Sequence, residues 1–435
     1  MSIKKNALAT VALTGIAVAV SSAYAAGFQL TEQSSLGLGR SYAGAGIVGD
    51  DLSAVHYNAA GMTLLPGTQA QAGSVFIEVD APFNNTSGQQ IENGRLKGQA
   101  IPAGYITHQV NDQLWLGLGM TVPYGMGTEY AQFWEGSDHG NQSMLMTIDI
   151  NPNIAYKVSD KLSIGAGISL QYAKAELGQT TKMPVAMLGN EQLNAVGGLA
   201  KVDAVVNGDS WAVGFNLGVM YQPTETLRFG LAYRSQIAHD ASGDIKMAAQ
   251  VENLNNMVVD GGSANDFSVR VTTPDTITAT ATWEATQDLR LSGLVRWARW
   301  SNLDQLNIRS SKIPGGEKIN HYDWEDTWLF SVGADYRLNN EWTVRGGVAY
   351  ETGAVGEAQN RPATIPDVDR VWLSLGASYN YSKQIQFDFG ATYLMGVGNM
   401  DVYHDPKSAY GDASKVGEYA SMDAYILGAQ VQYRF

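Results

Sequence analysis

The sequence predicts an all-β chain, closed as a 14-stranded antiparallel transmembrane β-barrel and plugged by an N-terminal hatch. Three observations carry that prediction. Hydrophobicity alternates with a period of two over runs of roughly ten residues, the length a tilted membrane strand needs and longer than a typical sandwich strand. Six short polar turns alternate with much longer polar stretches, which is the loop asymmetry of outer-membrane barrels. Composition agrees: 48 Gly, 21 Tyr and 10 Trp accompany only 16% charged residues and no Cys among 435.

Taken in order, Lys4 and Lys5 precede an apolar stretch over 7–20, and Ala23-Tyr24-Ala25 supplies a small-x-small cleavage pattern. Residues 1–25 therefore read as a signal peptide, with the mature chain expected to start at Ala26. The apolar run is shorter than the roughly 20 residues needed for a helical span, and nothing after Ala26 reaches that length. Absence of Cys suits export to an oxidising compartment. Residues 26–67 show no strand period, yet Leu36, Leu38, Tyr42, Ile47, Val48, Leu52, Val55, Tyr57, Met62 and Leu64 are too many apolar side chains for a disordered tail. A compact hatch inside the barrel is expected there.

The barrel is expected over 68–435, opening with a strand near 68–82. In the strand over 161–173, Leu162, Ile164, Ala166, Ile168, Leu170 and Tyr172 share one face, while Ser163, Gly165, Gly167, Ser169 and Gln171 share the other. Leu227, Phe229, Leu231 and Tyr233 repeat the pattern, as do Ile385, Phe387, Phe389, Ala391 and Tyr393. Turns at 111–113, 159–161, 224–226, 286–288, 339–341 and 382–384 each close a hairpin. Long outer loops are expected near 83–94, 125–142, 177–209, 248–266, 310–318, 352–369 and 401–418. Six hairpins with an opening and a closing strand give fourteen, an even number as single-chain bacterial barrels require. The closing strand, near 419–435, places Tyr425, Leu427, Ala429, Val431, Tyr433 and Phe435 on one face. An aromatic terminus such as Phe435 is the assembly signal of many outer-membrane barrels, so the barrel-assembly machinery is an expected partner, with outer-membrane lipid and lipopolysaccharide around the wall.

The charge and the motifs exclude several functions. A formal net charge of −14, with no basic patch, repels a phosphate backbone, so nucleic acid is not an expected partner. His56, His108, His139, His239, His321 and His404 are scattered, without a His-Glu-x-x-His run or a Gly-x-Ser-x-Gly elbow, and no enzyme is expected. Gly44-x-Gly46-x-x-Gly49 matches a dinucleotide fingerprint literally, but no strand leads into it. Asp323, Asp326, Asp367 and Asp369 are scattered loop acids. No cofactor and no metal are predicted.

Ala26-Gly27-Phe28-Gln29-Leu30, Gly37-Leu38-Gly39-Arg40-Ser41-Tyr42, Asp50-Asp51 and Asn58-Ala59-Ala60-Gly61-Met62 resemble, in order, the hatch of the FadL/TodX family of hydrophobic-compound transporters. Pro123-Tyr124-Gly125 with Thr128-Glu129-Tyr130 is similar to that family's third strand and following loop. Gln359-Asn360-Arg361 and the run from Ile365 through Asp367, Asp369 and Arg370 to Ser374 resemble its late signature. The resemblance covers the whole mature chain and is nearest to the long-chain fatty acid branch.

What the resemblance implies is passive, ligand-gated uptake of a long-chain fatty acid, or another hydrophobic small molecule, across the Gram-negative outer membrane by a monomer. The ligand leaves sideways through a gap where the third strand kinks. From the residues alone, Pro123 either ends its strand at the rim or breaks the ladder, because it has no N–H to donate; the resemblance favours the kink. By the same carry-over Asn58, Ala59 and Ala60 form the hatch side of the gate and Pro123, Tyr124 and Gly125 the strand side. Where the family has Asn-Pro-Ala, this chain has Ala59 in place of the Pro. Phe28 is the implied pocket aromatic, and Lys174, Arg299, Lys318 and His321 are candidate carboxylate contacts, since a fatty acid needs an apolar slot and a cation or fixed N–H groups. The alternatives are a TodX-like channel for aromatic or other small hydrocarbons and, less favoured, a general aqueous porin, which needs no hatch.

Overall fold

The computed structural model describes residues 27–92, 98–138, 140–188, 195–404 and 413–435. The expected signal peptide lies outside the described residues.

Fourteen antiparallel strands close into a barrel. In chain order they are β1 (Thr68–Asp80), β2 (Gln99–Gln109), β3 (Leu114–Thr121 and Gly125–Glu129), β4 (Gln142–Lys157), β5 (Leu162–Pro184), β6 (Leu199–Tyr221) and β7 (Leu227–Arg234 and Ile237–Val251). They continue as β8 (Met257–Thr273 and Thr276–Glu284), β9 (Leu289–Ala298 and Gln305–Arg309), β10 (Glu317–His321 and Thr327–Arg337), β11 (Trp342–Glu351), β12 (Asp369–Asn380), β13 (Ile385–Val397) and β14 (Asp423–Arg434). Closure is made by β1 against β14, with Gln69 opposite Arg434 and Asp80 opposite Asp423. All six expected short turns fall between consecutive strands, at the end where β1 begins.

Alternation sets which face each residue takes. Ile164, Ile168, Leu217, Leu231, Leu375 and Leu427 are exposed on the outside, while Ser163, Ser169, Asn216, Asp388 and Gln432 are buried inside. Outward aromatics gather at both rims: Tyr156, Tyr221, Trp283, Tyr336 and Tyr433 near the short turns, Trp211, Trp328, Tyr350 and Tyr425 at the other end. These are the two interfacial girdles of a membrane barrel.

One expectation is corrected. The stretches 177–209 and 248–266, read as loops from their polarity, are largely strand: β5 and β6 each run 23 residues. Their outer portions stay paired with each other, and β6 also with β7, which turns alternate apolar side chains such as Val202, Val206, Ile245 and Met247 onto a shared inner core. A small four-stranded sheet, built from Phe83–Asn85, Gln90–Ile91, Asp401–Tyr403 and Lys415–Tyr419, caps the same end.

The hatch fills the lumen. It carries two short helices, α1 (Ser35–Leu38) and α2 (Ala54–Tyr57), and a 3₁₀ turn (Ala59–Leu64); side chains cap α1, where Ser34 Oγ accepts from Gly37 N, and the 3₁₀ turn, where Asn58 Oδ1 accepts from Ala60 N. Lumen-facing glycines let its backbone touch the wall. A Cβ at Gly347 of β11 would lie 2.3 Å from the carbonyl carbon of Arg40, and one at Gly390 of β13 2.3 Å from the Ser35 oxygen. Charge fixes it further. Arg40 pairs with Asp50 at 2.8 Å and with Asp335 of β10 at 3.2 Å, and Arg345 of β11 pairs with the same Asp335 at 2.7 Å. Burial raises the Asp50 carboxyl, but the Arg40 guanidinium outweighs it and holds the group well below the usual carboxylate range.

Candidate functional site

The site begins where the ladder fails. β2 and β3 pair from Gln109↔Trp115 to Gly104↔Met120 and stop; beyond that, residues 100–103 of β2 pair with β1 but not with β3. On the other side of β3, Thr121 faces Asp149 and Gly125 faces Met146, so three residues of β3 (122–124) oppose two of β4 (147–148). This is a bulge centred on Pro123, and it swings the outer half of β3 off β2 and into the barrel.

The turned-in edge pairs with the hatch instead. Leu30 N donates to Pro123 O at 2.8 Å, Gly125 N donates to Phe28 O at 2.9 Å, and Gln29 bridges Tyr124 antiparallel. The segment over 28–30 thus takes the position on β3 that β2 has vacated. On the far edge, Tyr124 N donates to Thr147 Oγ1 at 2.9 Å.

Phe28 is buried in an aromatic cage. Its ring centroid lies 4.6 Å from Trp300, 5.7 Å from Trp324 and 6.1 Å from Tyr124. The same continuous apolar lining runs outward through Met126, Leu145, Val206 and Met247 to a groove of about 400 Å³ at the outer end of the barrel. Leu177, Met183, Ile245 and Ile308 line the groove; Lys182, Lys312, Lys318 and Glu317 supply its charge. Below the cage and behind Pro123 is a second, polar cavity of about 50 Å³, bordered by Thr31, His56, Asn58, Tyr124, Arg234 and Arg296.

The candidate residues from the sequence fall in different places. Phe28 forms the cage, and Pro123, Tyr124 and Gly125 form the bulge. Lys318 lines the groove and donates to Gln179 Oε1 at 2.9 Å. His321 is exposed, between Asn320 and Tyr322, which do line the groove. Arg299 pairs with Asp275 at 2.8 Å and donates to Gln236, beside neither cavity. Lys174 falls on the outward parity of β5, shared with Ile168, Leu170 and Tyr172, rather than facing the lumen. Asn58 borders the polar cavity together with Pro123, but its amide is tied to β6 and β7, donating to Val219 O at 3.1 Å and Leu231 O at 3.5 Å. Ala59 and Ala60 pack closely on Gly165 of β5. The hatch residues that touch the bulge are those around Phe28, Leu30 and Gln33.

Gln33 was not distinguishable in sequence from any polar turn residue, and neither was Glu32. The Glu32 side chain is wholly buried, and among the described residues no other residue donates a hydrogen bond to its carboxyl oxygens. Burial, helped by nearby Glu351 and opposed by Arg296 and Arg370, pushes its pKa up to about 8.

A closed barrel with two aromatic girdles, a plug inside it and an apolar cluster that reaches from the outer groove to a break in the wall fits one class: outer-membrane transporters of hydrophobic compounds. The profile described as outer membrane protein transport protein (OMPP1/FadL/TodX) matches residues 16–435, and the chain belongs to that family. It is 30% identical over 458 residues to a long-chain fatty acid transport protein of Escherichia coli O6:H1 (99% of this chain, 98% of that protein). Outer membrane protein P1 of Haemophilus influenzae is 30% identical over 419 residues, covering 88% of this chain and 89% of that protein. Among solved structures, a Pseudomonas aeruginosa FadL homologue superposes with a TM-score of 0.78 at 22% identity, over 94% of this chain and all of that one. The Pseudomonas putida toluene transporter TodX gives 0.69 at 16% identity, over 94% of this chain and 100% of that one. Family members are transporters rather than enzymes, and this chain is an outer-membrane protein of a Gram-negative bacterium.

Proposed function

We propose that the chain takes up long-chain fatty acids by passive diffusion, from the outer groove to the Phe28 cage and then sideways through the break between β2 and β3. The observation that carries this reading is the continuity of one apolar lining from a lysine-bearing groove to the segment that plugs the break. A tail of many methylenes gains about 0.8 kcal/mol for each one taken out of water, so an apolar track of this length suits an acyl chain. Lys182, Lys312 and Lys318 give its carboxylate a cationic landing zone at the groove. Lateral exit spares the tail the polar cavity and delivers it to the membrane. The curated relatives named for long-chain fatty acid transport agree with this substrate.

A second reading, uptake of monoaromatic hydrocarbons, is favoured by the cage itself, because Trp300, Trp324 and Tyr124 present edges and faces suited to a planar ring. Uptake of labelled oleate and labelled toluene, by cells lacking their own transporter, separates the two. The expected outcome is oleate uptake that falls at least ten-fold in Phe28→Ala and Pro123→Val. Toluene uptake alone moves the chain to the hydrocarbon reading, and uptake of neither, with leakage of small sugars, overturns both.

A further inference from the structure

The break leaves backbone groups on β3 that β2 no longer satisfies, and buried orphan groups of this kind are costly. One side chain meets two of them. Gln33 Nε2 donates to Val122 O at 2.7 Å, and Gln33 Oε1 accepts from Val122 N at 3.1 Å. The primary amide thus offers Val122 the same donor–acceptor pair that a neighbouring strand's peptide would. Nε2 also donates to Leu30 O at 3.1 Å, tying the segment over 28–30 to the same point. The Gln33 backbone is held independently: its N–H donates to Tyr57 Oη of the hatch at 3.2 Å, and its carbonyl accepts from Tyr105 Oη of β2 at 2.8 Å. The whole residue is excluded from solvent.

We infer that Gln33 is the latch of the side gap: its amide stands in for the missing strand, and its release from Val122 is what lets the segment over 28–30 move off the bulge. The inference rests on the lateral-exit reading above. Gln33 positions the gate and touches no ligand in this role. Because its backbone is anchored on the fixed hatch and on β2, only the side-chain bonds need to break, and a substitution removes them without dismantling the anchors. A latch differs from a packing residue in the sign of its effect: losing it speeds passage.

The test is oleate uptake by cells expressing Gln33→Leu, which keeps the bulk and removes both bonds to Val122. The initial rate is expected to rise about five-fold, the size of one net buried hydrogen bond. Equilibrium oleate binding to the purified barrel should stay within about two-fold, since the latch acts on release rather than on capture. Heat-modifiable electrophoretic mobility verifies assembly. An unchanged or lower rate from an assembled Gln33→Leu barrel overturns the latch. If that variant does not assemble, Gln33→Asn, one methylene too short to reach Val122, decides on the same two readouts; failure of both to assemble assigns Gln33 a purely structural role and overturns the proposal. The exit reading is checked separately in the unsubstituted protein with a diazirine-bearing oleate, which should label residues 100–103 of β2. Absence of that label sinks lateral exit whatever Gln33→Leu does, whereas label with an unaltered Gln33→Leu rate sinks the latch alone.

Discussion

Residues 34–65 and residues 28–33 belong to the same hatch and are held by opposite means. The first group touches the wall backbone to backbone, at Gly347 and Gly390, and carries the Arg40 ion pairs to Asp50 and Asp335. The second meets the bulge through hydrogen bonds, Leu30 with Pro123, Phe28 with Gly125 and Gln33 with Val122, and through the Phe28 ring against Tyr124, with no ion pair and no backbone interlock of that kind among the described residues. Steric interlock and buried charge cannot be released in small steps, because partial separation leaves both penalties in place. Hydrogen bonds can exchange one at a time with water or a ligand. The comparison teaches that the plug is held firmly over most of its length and lightly along a short lip, and that the lip is the part that carries the Phe28 cage.

That contrast can be broken by attacking the fixed part. Gly347→Val places a side chain against the Arg40 backbone, where neither the strand nor the hatch has room to give; it is expected to abolish the heat-modifiable, assembled form on electrophoresis. Asp335→Ala is the next largest. It leaves Arg40 and Arg345 buried without the acid they share, a loss of about 3–5 kcal/mol, read as a lower urea midpoint in detergent. Oleate uptake per assembled barrel should be little altered, because the lip is untouched.

The smallest effect sharpens the comparison from the side of the lip. Glu32 keeps its proton to about pH 8 in the folded protein, against an ordinary value of 4.5. The folded state therefore binds more protons than the unfolded state between these values, so stability falls as pH rises from about 4.5 to 8 and levels off above. Glu32→Gln is expected to flatten that dependence, seen as a smaller difference in thermal midpoint between pH 5 and pH 9. An unchanged slope would show that other groups carry it.

Much of the barrel was legible because the membrane enforces it. Along a membrane strand successive side chains alternate between a mostly apolar outward row and the lumen, and the short turns are polar, so the alternation in 161–173 and the six turns located the strands directly. The same rule would have corrected Lys174, which continues the outward row of Ile168, Leu170 and Tyr172. The outer strands were less legible, since outside the membrane a paired strand is free to carry polar residues on both faces, as over 179–182. Within the site, Phe28 and Pro123 stand out by residue type: a large aromatic in a Gly-rich hatch, and a proline inside a strand. Gln33 does not. Its importance comes from a backbone vacancy ninety residues away in the chain, created by the bulge, and no local pattern encodes it. Asn58, expected from its motif to face the kink, borders the polar cavity with Pro123, and its bonds go to β6 and β7, a pairing that depends on how the hatch is turned in the lumen.

The closing pair of the barrel also sets the order of its construction. β14 completes the wall by pairing with β1, and its Gln430 and Gln432 reach the hatch at Ser35 N and Asp50 O. Hatch backbone also touches β11 at Gly347 and β13 at Gly390. The hatch precedes every strand in the chain, yet its partners β11, β13 and β14 come last, so the contacts that lock it are complete only when the cylinder is sealed around it as around a mandrel.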